Sequence, residues 1–125
     1  MGVNLSSLPK AYQKQIKKSK YGNRKVTVNG IPFDSVKEGD RFLELLALYR
    51  AGEIRDLRLQ PEFTLIEGFV TPEGEKVRAE RYRADFSYTR DGERIVEDVK
   101  GHRTKEYLIK RKQMLDKYGV SVREV

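Results

Sequence analysis

Asp85, Asp98 and Lys100 are the residues of this chain whose types and spacing could do chemistry. They lie in the stretch YRADFSYTRDGERIVEDVKG, residues 82–101. It reads as a β-hairpin around Asp91-Gly92, one of the strongest two-residue turn signals. With Asp91 and Gly92 as the central residues of a type I′ turn, Arg90 faces Glu93, Tyr88 faces Ile95 and Phe86 faces Glu97. One step further, Asp85 stands opposite Asp98. Directly opposed side chains share a face, with Cβ atoms about 4.5–5.5 Å apart. Lys100, two residues past Asp98, returns to that face. Two carboxylates and one ammonium therefore converge.

Like charges opposed across two strands destabilise a sheet. Lys100 offsets part of that repulsion, and a divalent cation offsets more. Mg²⁺ is the natural choice, since one or two carboxylates hold it while waters and substrate phosphates complete its shell. The ordinary alternative is a solvated ladder of surface charges. Val96 on the face of Asp98, and Ala84 and Phe86 beside Asp85, argue against free solvation. Clustered, mutually perturbing carboxylates mark functional sites.

These residues need a scaffold, and the surrounding pattern supplies one. The basic segment of residues 1–23 is expected to be a flexible arm, either a solvated tail or a segment that follows phosphates. Residues 24–125 read as a single domain. Within KVTVNGIPF, apolar residues alternate around Asn29-Gly30, a hairpin signal. DSVKEGDRFLELLALYRAGE predicts a helix with Ser35 as N-cap and Gly52 as stop. Period-two apolar residues predict strands over 57–70 and 77–89, around the turn TPEGEK, and a further strand over 93–101. TKEYLIKRKQMLDKYG predicts a second helix, capped by Thr104 and ended by Gly119, and VSVREV a closing strand. The order ββ-α-β-β-β-α-β implies an α/β (mixed α+β) fold, a mixed sheet flanked by two helices.

The first helix offers a third carboxylate. At about 100° per residue, Phe42, Leu45, Leu46 and Tyr49 form its apolar face, and Glu38, one turn before Phe42, falls within it. Asp40 and Glu44 fall on the other side. Ser35-x-x-Glu38 is also a capping box, which by itself accounts for Glu38. The two roles are compatible, and spacing does not choose between them.

The net charge is +7 over 125 residues, with a sequence pI of about 9.6. That balance points to an acidic polymer or an anionic surface. There is no cysteine, which removes disulfides, thiolate nucleophiles and cysteine-bound zinc. No apolar run is long enough to span a bilayer and no signal-peptide pattern opens the chain, so a soluble cytoplasmic protein is the expectation.

With Glu38, Asp85, Asp98 and Lys100 in place, the chain resembles the PD-(D/E)XK nuclease superfamily. The pattern is an acidic residue on one hairpin arm, here in RADF, then (D/E)-x-K on the next, here in EDVKG, and a glutamate from the preceding helix. Ala84 stands where that pattern has proline. The ordered blocks KYGNRKVTVNGIPFDSVKE, LQPEF, RYRADFSY and VEDVKGHRTKEYLIKRK resemble a family of small phage-encoded proteins within the superfamily, akin to Holliday junction resolvases. The resemblance runs from about Lys20 to the C-terminus. It implies a restriction-endonuclease-like αβββαβ core and a Mg²⁺-dependent DNA endonuclease, with Mn²⁺ able to substitute. It implies Asp85, Asp98 and Glu38 as metal ligands, the Val99 carbonyl as a further ligand, and Lys100 as the residue that orients water and stabilises developing charge.

The cations then fall into place as a DNA-following set: Lys20, Arg24 and Lys25 before the hairpin, and His102, Arg103, Lys105, Lys110 and Arg111 after the site. His102 reads as a loop side chain near a phosphate or, less simply, as a general base. Gln60, in LQPEF, is a possible neighbour of the site or a structural residue beside Pro61. A chain this short has little room for a separate sequence-reading module, so branched DNA is the expected substrate, cut by a homodimer. The alternatives are a nicking or flap-type nuclease and a non-catalytic DNA-binding module.

Overall fold

Asn29 and Gly30 both adopt positive φ, 50° and 83°, the conformation a two-residue type I′ turn demands. They join β2 (Arg24–Val28) to β3 (Ile31–Phe33), pairing Val28 with Ile31 and Val26 with Phe33. The computed structural model describes residues 16–18, 24–99 and 103–125; the side chains of 16–18 and of Arg24 are outside that description. Ile16–Lys18, within the basic N-terminal segment, form β1, antiparallel to β2. The sheet order is β1-β2-β3.

Helix α1 (Val36–Arg50) begins as its capping signal predicts, with the Ser35 hydroxyl accepting from the Glu38 amide at 3.1 Å. It ends at Ala51, followed by Gly52 at φ 77°. Phe42, Leu45 and Leu46 are buried, and the Phe42 ring lies 5.2 Å from that of Phe33. Gly39 lets helix and hairpin approach: a Cβ there would stand 3.0 Å from Val28 Cγ2 and 3.1 Å from Val26 Cγ2.

The chain divides into two compact units, one ending at Leu57 and the other starting at Arg58, so the passage from one to the other falls inside β4 (Arg55–Leu59). The second unit holds β5 (Glu62–Ile66), β6 (Phe69–Val70), β7 (Lys76–Val77), β8 (Glu80–Arg83), β9 (Phe86–Arg90), β10 (Glu93–Asp98), α2 (Lys105–Tyr118) and β11 (Arg123–Glu124). One sheet runs β11-β10-β9-β4, with β9 and β10 antiparallel and β10 and β11 parallel. A second pairs β5 with β8, and β6 with β7 forms a small ribbon. The fold is mixed α+β, with both predicted helices present. Among the described residues no helix is long and apolar enough to cross a membrane.

Both long predicted strands are interrupted twice, at 60–61 and 67–68 and at 78–79 and 84–85, and the break at 60–61 is tied to that at 84–85. The 57–70 strand splits at Gln60, which takes φ 50° just before Pro61, a residue that cannot donate to a ladder. The 77–89 strand splits at Ala84–Asp85. The Ala84 amide donates to the Pro61 carbonyl at 3.1 Å and the Gln60 amide to the Asp85 carbonyl at 2.9 Å. At this paired bend the chain leaves β5 as partner and takes up β10. The closing strand is also shorter than expected, with only Arg123 and Glu124 paired.

Thr104 caps α2 by accepting from the Tyr107 amide at 3.0 Å, and Gly119 ends the helix in the left-handed conformation. Leu65, Tyr82, Ala84, Val96, Tyr107, Met114 and Val122 form the core of this unit. It is the α2-side face of the sheet, the face that Val96 shares with Asp98.

Candidate active site

The Asp91-Gly92 turn, with φ 52° and 80°, sets the expected register. Arg90 pairs with Glu93, Tyr88 with Ile95 and Phe86 with Glu97. The ladder stops one pair short of the two carboxylates. Asp85 lies in the bend ahead of β9, its amide donating to the Glu97 carbonyl at 3.1 Å. Asp85 and Asp98 are therefore not a regular cross-strand pair, because the bend that serves β5 and β8 turns the Asp85 peptide out of the ladder. They are joined by another contact: the Asp85 Oδ2 accepts from the Val99 amide at 2.7 Å. The side chain of one acid is thus bound to the peptide that follows the other.

Asp98 closes β10 and is 2 % exposed. Its Oδ2 accepts a short hydrogen bond from the Tyr82 hydroxyl. Burial, the bond to Asp98, and the charges of Asp98 and Asp85 hold the Tyr82 phenol far above the ordinary tyrosine range, so at working pH it is a donor. The charge of Asp85 adds to that of Asp98 in raising the phenol, and only Asp98 is bonded to it. Sequence reasoning did not single out Tyr82, yet a signal was there: in RYR one apolar ring alternates with two arginines, the mark of an inward-facing strand position. Glu97 was missed as well. It is 1 % exposed and accepts from the Tyr88 hydroxyl. Consecutive residues of a strand point to opposite faces, so Glu97 and Asp98 are two buried acids on opposite faces, each served by a tyrosine.

Glu38 lies in the first turn of α1, buried, in the first unit, whereas Asp85 and Asp98 belong to the second. Lys100, His102 and Lys20 fall outside the described residues. Gln60 is exposed and adjoins Asp85 through the backbone bond of the bend, a structural connection. Val99 is half-buried.

Three of the predicted phosphate-following cations have partners of their own. The Arg103 guanidinium binds the Glu124 carboxylate through Nε at 3.1 Å and through a shorter contact from Nη2. Arg111 reaches the same carboxylate at 3.4 Å. These bonds hold Glu124 below the usual carboxylate range, the Arg103 hydrogen bond foremost. Two guanidiniums on one carboxylate still leave a surplus positive charge. The Lys110 ammonium donates to the Arg81 carbonyl at 3.0 Å and lies 3.4 Å from Glu106. Lys25 and Lys105 are exposed, and Arg24 opens β2.

The donor set is hard oxygen, which suits Mg²⁺ rather than a soft metal. No group of three or more histidine, aspartate or glutamate side chains gathers around one point among the described residues. Two protein carboxylates are within the number that Mg²⁺ takes when waters and phosphate supply the rest. The residues present fit such an ion on those terms.

No curated protein matches the chain, and no solved structure does. A family model matches residues 18–124, nearly the whole length, and carries the description "Protein of unknown function". By that match the chain belongs to the DUF1064 family.

Proposed function

We propose that the protein is a Mg²⁺-dependent endodeoxyribonuclease that hydrolyses phosphodiester bonds in branched DNA, a Holliday junction being the leading candidate. The observation that carries the reading is the pair of carboxylates brought together at the strand ends, Asp98 buried and Asp85 bound to the Val99 amide, with Lys100 two residues on. A carboxylate pair beside an incoming phosphate is unfavourable unless a cation joins them, so its presence in a basic protein favours a metal site over a simple DNA-binding surface.

Asp85 and Asp98 would hold the ion, with the Val99 carbonyl as a further ligand. Bound there, Mg²⁺ supplies Lewis-acid polarisation of the phosphate and a more acidic water. The Lys100 ammonium, a compact point charge, would orient the attacking water and offset the charge developing on the phosphate oxygens. Lys20, Arg24, Lys25, His102, Lys105, Lys110 and the surplus charge of Arg103 and Arg111 attract and follow the DNA backbone. A homodimer would cut two strands symmetrically. The reading places the protein in the cytoplasm, that of the host cell if it is phage-encoded.

A second reading, a non-catalytic DNA-binding module, is favoured by the protein donors already bound to both acids, Tyr82 on Asp98 and the Val99 amide on Asp85. Incubation of the protein with supercoiled plasmid and with four-way junction DNA, in Mg²⁺ and in EDTA, decides between them. Metal-dependent cleavage lost in Asp98→Asn supports the nuclease. Binding with no cleavage in either metal ion, Mg²⁺ or Mn²⁺, supports the second reading.

A further inference from the structure

Tyr82 and Val99 treat the two carboxylates alike. One oxygen of each, Oδ2, accepts a hydrogen bond from the protein: from the Tyr82 hydroxyl at Asp98 and from the Val99 amide at Asp85. Tyr82 is 4 % exposed and packed into the core with Ala84, Val96 and Tyr107; its ring lies 6.4 Å from that of Tyr107. The phenol is thus held by packing, and the carboxylate it binds is 2 % exposed with little room to rotate. A hydrogen bond of this kind draws charge from Oδ2 and fixes the plane of the carboxylate. Chelation of one ion by both oxygens then competes with the bond, whereas ligation through a single oxygen does not.

That distinction separates two biological cations. Mg²⁺ is small, octahedral and takes carboxylates through one oxygen, while Ca²⁺ accepts six to eight oxygens and often takes a carboxylate through both. We propose that Tyr82 is a metal-specificity residue, which holds Asp98 as a one-oxygen ligand and so selects Mg²⁺ over Ca²⁺. The inference rests on the nuclease reading only in requiring a divalent ion at Asp85 and Asp98. Tyr82 touches the ligand and not the ion, and acts by positioning.

Calorimetric titration of the full chain with MgCl₂ and with CaCl₂, without DNA, tests this in the wild type, Tyr82→Phe and Asp98→Asn. Phe keeps the ring in the core and removes only the hydroxyl. Loss of an outer-shell partner weakens metal binding by roughly tenfold to a hundredfold, and that loss is expected for Mg²⁺. Ca²⁺ binding should hold or tighten, so the ratio of the two dissociation constants moves toward Ca²⁺ by about tenfold or more. A merely structural tyrosine would lower the melting temperature and leave the ratio alone. An unchanged ratio in a Tyr82→Phe protein that binds both ions overturns this inference and leaves the nuclease reading standing. A wild type that binds neither ion, or an Asp98→Asn variant that binds like the wild type, overturns both. If Tyr82→Phe does not fold, infrared spectra of the wild type with isotopically labelled aspartate decide instead. The carboxylate stretching bands in Mg²⁺ should show the wide splitting of one-oxygen ligation, and the narrow splitting of two-oxygen chelation would overturn the proposal.

Discussion

Replacing Asp85 by Asn and by Ala separates what its charge does from what its oxygen does. The Asp85 Oδ2 accepts from the half-buried Val99 amide at 2.7 Å. A hydrogen bond to a charged group contributes about 1.5–3 kcal/mol and a neutral one about 0.5–1.5 kcal/mol. Asn keeps an acceptor, so that change costs about 1 kcal/mol. It also removes a charge that acts on the same tyrosine as Asp98. At an effective dielectric of about 20, like charges about 4 Å apart repel by about 4 kcal/mol, and more distant ones by less. Asp85→Asn should therefore melt at or above the wild-type temperature in EDTA. Ala gives the same relief but leaves the Val99 amide without its acceptor, so it should lie about 1–2 kcal/mol below Asn. For a domain of this size that is roughly 4–8 °C. Differential scanning calorimetry in EDTA and in Mg²⁺ provides the assay. Mg²⁺ at about a hundred times its dissociation constant should stabilise the wild type by about 2.7 kcal/mol and neither variant comparably. Two results would refute the reasoning. One is equal melting of Asn and Ala, which would remove the Val99 bond from the account. The other is a loss beyond about 2 kcal/mol in Asn, since a structural ion pair costs more than that when broken.

Four further outcomes are expected. Asp98→Asn should abolish cleavage and leave DNA affinity intact or tighter, read by nicking of plasmid and by gel shift. Gly39→Ala should destabilise the first unit by up to about 2 kcal/mol, overpacking against Val26 and Val28 costing about 1–3 kcal/mol and helix propensity returning about 1 kcal/mol; chemical denaturation checks it. Burial and the Glu124 carboxylate push the Tyr107 phenol up to about 12, so the folded state keeps a proton that the unfolded chain releases near pH 10. Its contribution is present below pH 10 and lost as pH rises toward 12, and Tyr107→Phe should flatten the fall in melting temperature over that window. Binding should weaken steeply with salt, and in Ca²⁺ at fixed salt a four-way junction should outcompete a duplex of equal length; equal competition, or a monomer in sedimentation, removes the junction-resolving dimer and leaves metal-dependent cleavage untouched.

Local chemistry determined a good deal of this protein from its sequence. Asn29-Gly30 and Asp91-Gly92 specify their turns because two adjacent positive-φ positions fit those residue types, and the turn then sets the register out to Phe86 and Glu97. Ser35, Thr104 and Gly119 mark helix ends because side-chain oxygens satisfy orphan amides and glycine tolerates the left-handed cap. The mixed α+β class follows from those elements. What tertiary structure alone decided lies at the site. Period-two alternation runs unbroken through Ala84 and Asp85, so nothing local shows that the chain changes partner there; the bend exists because Gln60 and Pro61, more than twenty residues earlier, bond to it. The bend takes Asp85 out of the ladder, and the Val99 amide binds it instead. The tyrosine on Asp98 depends on β8 packing under α2, a contact between segments far apart in the chain. Glu124 gathers Arg103 and Arg111 because β11 returns beside β10. Charge and spacing can nominate acids and cations, but which of them end up neutralised is settled by long-range pairing.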